Sequence, residues 1–570
     1  MKLIIKQYLA SLKERDELDA ILPDLLSQLG LTVFSRPGRG TRQNGVDVAA
    51  VGCLDSSSEK VYLLSIKSGD LTRSSWSTES PQSLRPSLDE IIDTYIPNRL
   101  PQEHKEKHIV ICLCFGGDIQ EQVRESVEGY IKKYQTEKLT FEEWNGDKLA
   151  SLILSSFLSE DLFSQDIRSQ LRKALALLDE PNASYQHFYS IINAFSNQKF
   201  KKNKDRITAL RQINICLWII FSWARDAGNL EAAYLSAEVS LLHAWYIANG
   251  FFSKKSTTAQ SAQATFHSIL SLYLQICSEF IDTKITPHVS KKHALSSAVQ
   301  ATSSLDVNLK LFDILGRLAM EGIWAYRLMT SFADENAELT NELKEKISSN
   351  FLSIKQLIVN NPVLFLPIKD SQSIDISLAA LMMAIDAENH SDLCNWFSEI
   401  VDRSTIAHQV HYKYPCNLQE YGVLLEHSRQ RDDNYRREVT GGSVLFPLIA
   451  LWAGLLNDGE LYRDVQNLKR EHLSHCNFQF WYPDEVSEEY FYTNKNAHGA
   501  ALSHVRIDNS MDEFLAQIFS ECENSDQFYD LSAVKHGLWP LILVACRHYR
   551  LPTPLHLLKG FYPIKENTSF

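Results

Sequence analysis

The sequence has no CxxC pair among its ten cysteines and no GxxxxGK[ST] loop, and no apolar run in it reaches the ~20 residues that a membrane crossing needs. The scattered cysteines do not form a disulfide framework or a paired-thiol metal site. The closest two, Cys112 and Cys114, share one side of a strand-like apolar run, which fits reduced thiols in a cytoplasmic protein. Without a Walker loop, ATP hydrolysis is not expected. The longest apolar runs, Ser443 to Leu456 (which contains Pro447) and Ile213 to Trp223, read as buried helices, so no membrane partner is expected. Nor does a charged-then-apolar leader open the chain. Met1 to Gly30 carries Lys, Glu and Asp throughout an amphipathic pattern, which argues against export. A formal net charge of -13 excludes a uniformly DNA-coating protein, so any nucleic-acid site is confined to a local basic patch.

The chain does have enough apolar material for more than one core: 570 residues, 44% of them hydrophobic. Its first 155 residues mix the two hydrophobic periods and read as α/β. Leu12, Leu18, Ile21, Leu22, Leu25, Leu26 and Leu29 recur at helical spacing, and Gly30 closes that helix. Strands are expected at Leu31 to Ser35, Val46 to Val51, Val61 to Lys67, His108 to Phe115 and Leu139 to Glu143. Helices are expected at Ser87 to Tyr95, Ile119 to Tyr134 and from Lys148. From about residue 155 the pattern is all-α and helical-repeat-like, clearest in the pair Arg206 to Arg225 and Leu230 to Asn249 across an Asp-Ala-Gly-Asn turn. A break near Val359 to Gln372 divides this body, giving expected regions 1–155, 156–365 and 366–570.

Two polar residues end neighbouring strand patterns. Asp47 belongs to Gly-Val-Asp-Val and Lys67 ends Val-Tyr-Leu-Leu-Ser-Ile-Lys, so adjacent strands would deliver a carboxylate and an ammonium to one edge. That pair suits phosphodiester hydrolysis, in which a divalent cation offsets charge developing on the phosphoryl oxygens. Asp47 and the Ile66 carbonyl would hold Mg²⁺ or Mn²⁺, which needs few protein oxygens and keeps its waters. Lys67 would orient or deprotonate the attacking water, or stabilise the transition state.

These residues resemble the PD-(D/E)xK restriction-endonuclease-like superfamily, especially its Mrr-like and Holliday-junction-resolvase-like branches, over roughly residues 10 to 155. The similarity rests on a first-helix acid, Gly30 followed by a strand, Gly45-Val46-Asp47-Val48, Ser65-Ile66-Lys67, the Ile109 to Phe115 strand and Trp144 to Leu149 after it. The resemblance implies a restriction-endonuclease-like fold and a first-helix acid completing the metal site. Spacing from Gly30 favours Asp19, and residue type favours Glu17. It further implies Mg²⁺- or Mn²⁺-dependent DNA cleavage in bacterial restriction or anti-phage defence, the helical body binding partner subunits, a phage-derived trigger or further copies of the chain. Ser65 departs from the family, which has Glu or Gln there; a hydroxyl binds the cation only through water or not at all. The alternative is therefore a catalytically degenerate, nuclease-like binding module acting as a scaffold or sensor.

Arg36, Arg39 and Arg42 crowd the loop before Asp47, where Gly38, Gly40 and Gly45 permit close backbone approach to phosphates. Arg73 and Arg85 would extend such a groove, with Trp76 and Gln82 beside them; for these four, an ordinary structural or solvated role is the plainer expectation. His408 and His411, with Cys416, His472, His475 and Cys476, have imidazole pairs at helical spacing, but their arrangement matches no zinc class and reads better as core or surface histidines. The aromatic stretch Phe478 to Tyr492 reads as core.

Overall fold

The structure, a computed structural model, describes residues 2–36, 44–54, 58–77, 83–156, 164–332, 337–410, 413–427, 429–493 and 501–561. The chain forms two compact units, residues 1–273 and 274–570. The expected boundaries near 155 and 365 lie inside these units.

In the first unit, α1 (Lys2–Ser11) is followed by a single wide turn, Glu14–Leu18, and by α2 (Asp19–Gln28). The wide turn is closed by the Leu18 N–H donating to the Lys13 carbonyl at 3.1 Å, a five-residue reach in place of the usual four. Gly30, with φ +91°, ends α2 in the left-handed region. The chain then runs through β1 (Thr32–Ser35), β2 (Val48–Gly52), β3 (Lys60–Lys67), α3 (Arg73–Trp76), α4 (Leu84–Glu90), α5 (Ile96–Asn98), β4 (His108–Phe115), α6 (Glu121–Tyr134), β5 (Leu139–Trp144) and α7 (Gly146–Ser156).

The five strands form one mixed sheet in sequence order. β1, β2 and β3 pair antiparallel, whereas β3–β4 and β4–β5 pair parallel. The parallel pairs require crossovers, supplied by α4 with α5 and by α6. One face of the sheet, including Ala49, Val51, Val61, Leu63, Ile111 and Leu113, packs against Leu84 and Leu88 of α4 and Val123 and Val127 of α6. α2 packs over β1 and β2, with α1 and α7 beside it. β4 is buried along nearly all of its length, as a central strand covered on both faces must be.

The same unit continues through helices α8 (Gln165–Ala176), α9 (Pro181–Ser196), α10 (Asn203–Asp226) and α11 (Glu231–Ala248), and into α12 (Thr257–Lys284). α10 is long and apolar enough to cross a membrane, but 89% of its apolar window is buried inside the fold. This is why Ile213 to Trp223 shows so little amphipathicity: the helix is surrounded by protein.

The second unit is mainly helical, built on α13 (Ala294–Ala298), α14 (Ser304–Phe332), α15 (Ala337–Asn360), α16 (Ser373–Ala384), α17 (His390–Gln409) and shorter helices after them. It is not all-α as expected. β6 (Gly442–Ser443), β7 (Asn477–Tyr482) and β8 (Ala501–His504) form a small sheet, with β6–β7 parallel and β7–β8 antiparallel. Phe478, Phe480, Trp481 and Tyr482 of β7 are buried, as are Phe491 and Tyr492, so the aromatic stretch is core apart from the exposed Tyr490.

His408 has a structural role with a measurable consequence. It is fully buried, stacks on Tyr414 with ring centroids 4.6 Å apart, and lies parallel to His472 at 6.2 Å. Neither of its ring nitrogens has a hydrogen-bond partner. Burial, helped by the charges of His472 and Arg436, pushes its imidazole down to about 3. The unfolded chain takes up this proton near 6.5 and the folded chain only near 3. Stability is therefore full above pH 6.5 and falls with acidification at up to about 1.4 kcal/mol per pH unit. Urea denaturation between pH 7.5 and 5 is expected to show a shallower acid loss in His408→Phe than in the parent; equal slopes would contradict the assignment.

Candidate functional site

The sheet geometry explains how residues 47 and 67 come together. β2 and β3 are antiparallel with Val48 opposite Leu64, so the start of β2 and the end of β3 lie at the same edge. The Asp47 N–H still donates to the Leu64 carbonyl at 2.9 Å, but the backbone then leaves the ladder. The next β3 donor, the Ile66 N–H, is taken by the Asp47 carboxylate at 2.7 Å. The departure from the ladder is set by Asn44 and Gly45, both at positive φ. A Cβ on Gly45 would lie 2.0 Å from the Ser87 carbonyl oxygen of α4, so this position admits only glycine.

Lys67 is 8% exposed, and its Nζ donates to Glu14 Oε1 at 3.0 Å. Glu14 lies in the wide turn, which abuts β3. Burial pushes the Asp47 carboxyl up to about 6, against the Ile66 N–H and the Lys67 charge, which pull it down; Glu14 pushes the same way as burial, and Arg15 opposes it. At the end of β3, Asp47 therefore lies within electrostatic reach of the Lys67–Glu14 pair and of the exposed Arg15. Ser65, two residues before Lys67 and 1% exposed, has a hydroxyl with no hydrogen-bond partner. Cys114, opposite Ile66 on β4, is a buried thiol raised far above the usual range by burial and by the Asp47 charge, which keeps it protonated.

Lys67 is bonded to Glu14, and Glu17, the first-helix acid favoured by residue type, is bonded to Arg225. Glu17, 1% exposed, accepts from Arg225 Nη1 at 2.7 Å and Nη2 at 3.2 Å and from the Lys13 N–H at 2.8 Å. Asp19 begins α2. The acid that reaches Lys67 is Glu14, and the signal for it is the break at Leu12 and Lys13, which ends one helix before the acidic run begins.

Arg36 is exposed and lies within electrostatic reach of Asp24 and Arg211. Arg73 opens α3 and Arg85 sits on α4, both exposed; Arg85 is near Tyr130. Trp76 is buried in the core between the sheet, α4 and α6. Arg39, Arg42 and Gln82 lie outside the described residues, as does His411.

Among the described residues no group of three or more His, Cys, Asp and Glu could hold a metal ion. His475 Nε2 is bonded to Thr440 Oγ1 at 2.8 Å and the Cys416 thiol donates to the Ile368 carbonyl at 3.3 Å. At the sheet edge the donors are Asp47, Glu14 and the unpartnered Ser65 hydroxyl. Two carboxylates with water fit Mg²⁺ or Mn²⁺, which keep much of their hydration shell, better than they fit a closed zinc site. No family model, curated protein or solved structure matches the chain.

Proposed function

We propose that the N-terminal α/β part is a metal-dependent endonuclease of the PD-(D/E)xK type, acting on DNA, and that the helical remainder serves it as sensor or scaffold. The observation that carries this reading is the meeting of Asp47, Lys67 and Glu14 at one edge of the sheet. Asp47 and Glu14 would hold Mg²⁺ or Mn²⁺, with Ser65 contributing through water. When bound, the cation offsets charge building on the phosphoryl oxygens. Lys67 holds its ammonium where the attacking water and the scissile phosphate would meet, and Arg15 offers a phosphate contact beside it. Restriction or anti-phage defence is the setting implied by the family resemblance, with partner subunits, a phage-derived trigger or further copies of the chain as candidate activators.

Ser65 favours a second reading. A hydroxyl at the family's third acidic position weakens the site, and the domain would then grip DNA or protein without cutting. Incubation of the purified chain with supercoiled plasmid and Mn²⁺ separates the two. Nicking by the parent and none by Asp47→Asn is expected of the enzyme; equal inertness of both, with and without candidate partners, supports the binding module.

Ser65 also gives a prediction that does not depend on cleavage. A buried hydroxyl with no partner carries a desolvation cost of about 1–3 kcal/mol. Ser65→Ala is therefore expected to raise stability in chelator-treated protein by about 1 kcal/mol and to weaken Mn²⁺ binding. A drop in chelator-treated stability would show that the hydroxyl has a partner.

A further inference from the structure

The first unit carries a second set of charges behind the site. The wide turn Glu14–Leu18 presents Glu14 to Lys67 on one side and Glu17 to α10 on the other. Glu17 is almost fully buried, and its two oxygens accept separately from Nη1 and Nη2 of Arg225. Arg225 is itself fixed. It lies in the last turn of the 24-residue α10, where a cation complements the helix dipole, and its guanidinium stacks over Phe221 at 5.1 Å. The third partner of Glu17, the Lys13 N–H, belongs to the residue whose carbonyl closes the turn. Glu17 therefore holds both the turn's opening residue and the end of α10.

Turns closed by a five-residue reach are uncommon and occur often at functional sites, because they leave a local register that neighbouring structure must hold. Here the holding group comes from the helical region. α10 also grips the far end of α2, where Arg211 Nη1 donates to Gln28 Oε1 at 2.9 Å. The turn and α2 are thus fastened to α10 at both ends.

We infer that Arg225 is a positioning residue: through Glu17 it sets the register of the wide turn and so the placement of Glu14 against Lys67 and Asp47. The helical region acts on the site through this clamp, and a partner that displaces the end of α10 changes the metal-binding geometry without touching it. The inference rests on the proposed nuclease reading for its functional consequence but not for the clamp itself.

The test uses the full chain with Arg225→Met, Glu17→Gln, the double variant and Arg225→Lys. Hydrogen exchange at the amides of residues 14–18 in chelator reads the clamp alone. It is expected to quicken at least tenfold in Arg225→Met, with melting of the rest of the unit retained, and to be partly restored in Arg225→Lys. Mn²⁺ titration of plasmid cleavage reads the consequence. The half-saturating Mn²⁺ concentration is expected to rise about tenfold in each single variant and no further in the double, because both act through one contact. Cleavage at saturating Mn²⁺ should largely recover. Unchanged exchange at residues 14–18 overturns the clamp. Quickened exchange with a Mn²⁺ titration that superposes on the parent's overturns the positioning role. Quickened exchange in a chain whose parent neither binds Mn²⁺ nor cuts overturns the nuclease reading and, with it, the positioning role, leaving the clamp as structure alone.

Discussion

Lys67→Met is expected to lower plasmid cleavage by a factor on the order of 10³ while leaving Mn²⁺ binding intact or tighter. On the proposed reading, loss of activity follows from removing the ammonium bonded to Glu14 at this sheet edge, where charge would develop on the phosphate. Tighter metal binding follows from competition. Lys67 now occupies a Glu14 oxygen at 3.0 Å, and a divalent ion must share or displace that contact. Removing the ammonium frees Glu14 for the metal and makes the pocket more negative. A merely structural salt bridge would give the opposite pattern, with activity and metal binding falling together as the site loosens. Cleavage rates at saturating Mn²⁺, set beside Mn²⁺ affinity for the same preparation, distinguish the two.

The second large effect belongs to the other unit. Asp313 of α14 accepts from Arg317 at 2.6 Å and from Arg547 at 2.6 Å, with Arg550 at 3.5 Å. Despite burial, these guanidiniums hold its carboxyl far below the usual carboxylate range. Asp375, bonded to Arg550, has its carboxyl pushed up to about 6 by burial. Gly316 makes room for this network, because a Cβ there would lie 2.2 Å from Asp375 Oδ1. Breaking a buried pair from one side leaves uncompensated charge and costs about 3–5 kcal/mol. Asp313→Asn is expected to lose that much in urea denaturation at pH 7. Its sign with pH is fixed as well. A carboxyl depressed on folding contributes stability above the unfolded value near 4, and that stability is lost as pH falls towards the folded value. The variant should lack this part of the acid loss; a change under about 1 kcal/mol at pH 7 would show that the arginines are satisfied elsewhere.

Much of the first unit could be read from residue order. Alternation and apolar runs located β1 to β5 within a residue or two, because each strand is bounded by turn residues and β4 is apolar throughout. Asp47 and Lys67 stood out because each polar group ends an apolar strand. The first-helix acid did not, for a specific reason. Counting back from Gly30 assumes one regular helix, whereas the chain breaks at Leu12 and Lys13 and then takes one turn with an extra residue. That residue rotates the face by about 100° and brings Glu14 to Lys67 in place of Glu17. The Glu17–Arg225 pair spans 208 positions and has no local signature. The small sheet of the second unit was hidden for a different reason: β7 is a six-residue aromatic run among helices, and such short runs do not separate strand from buried helix.

The most direct measurement is Mn²⁺ binding to the full chain by electron paramagnetic resonance, in the parent and in Asp47→Asn, Glu14→Gln and Glu17→Gln. One tight ion per parent chain, lost in Asp47→Asn and in Glu14→Gln and only weakened in Glu17→Gln, is the result that a metal site at the β2–β3 edge requires. Tight binding that persists in Asp47→Asn and Glu14→Gln, or is absent from the parent, would contradict it.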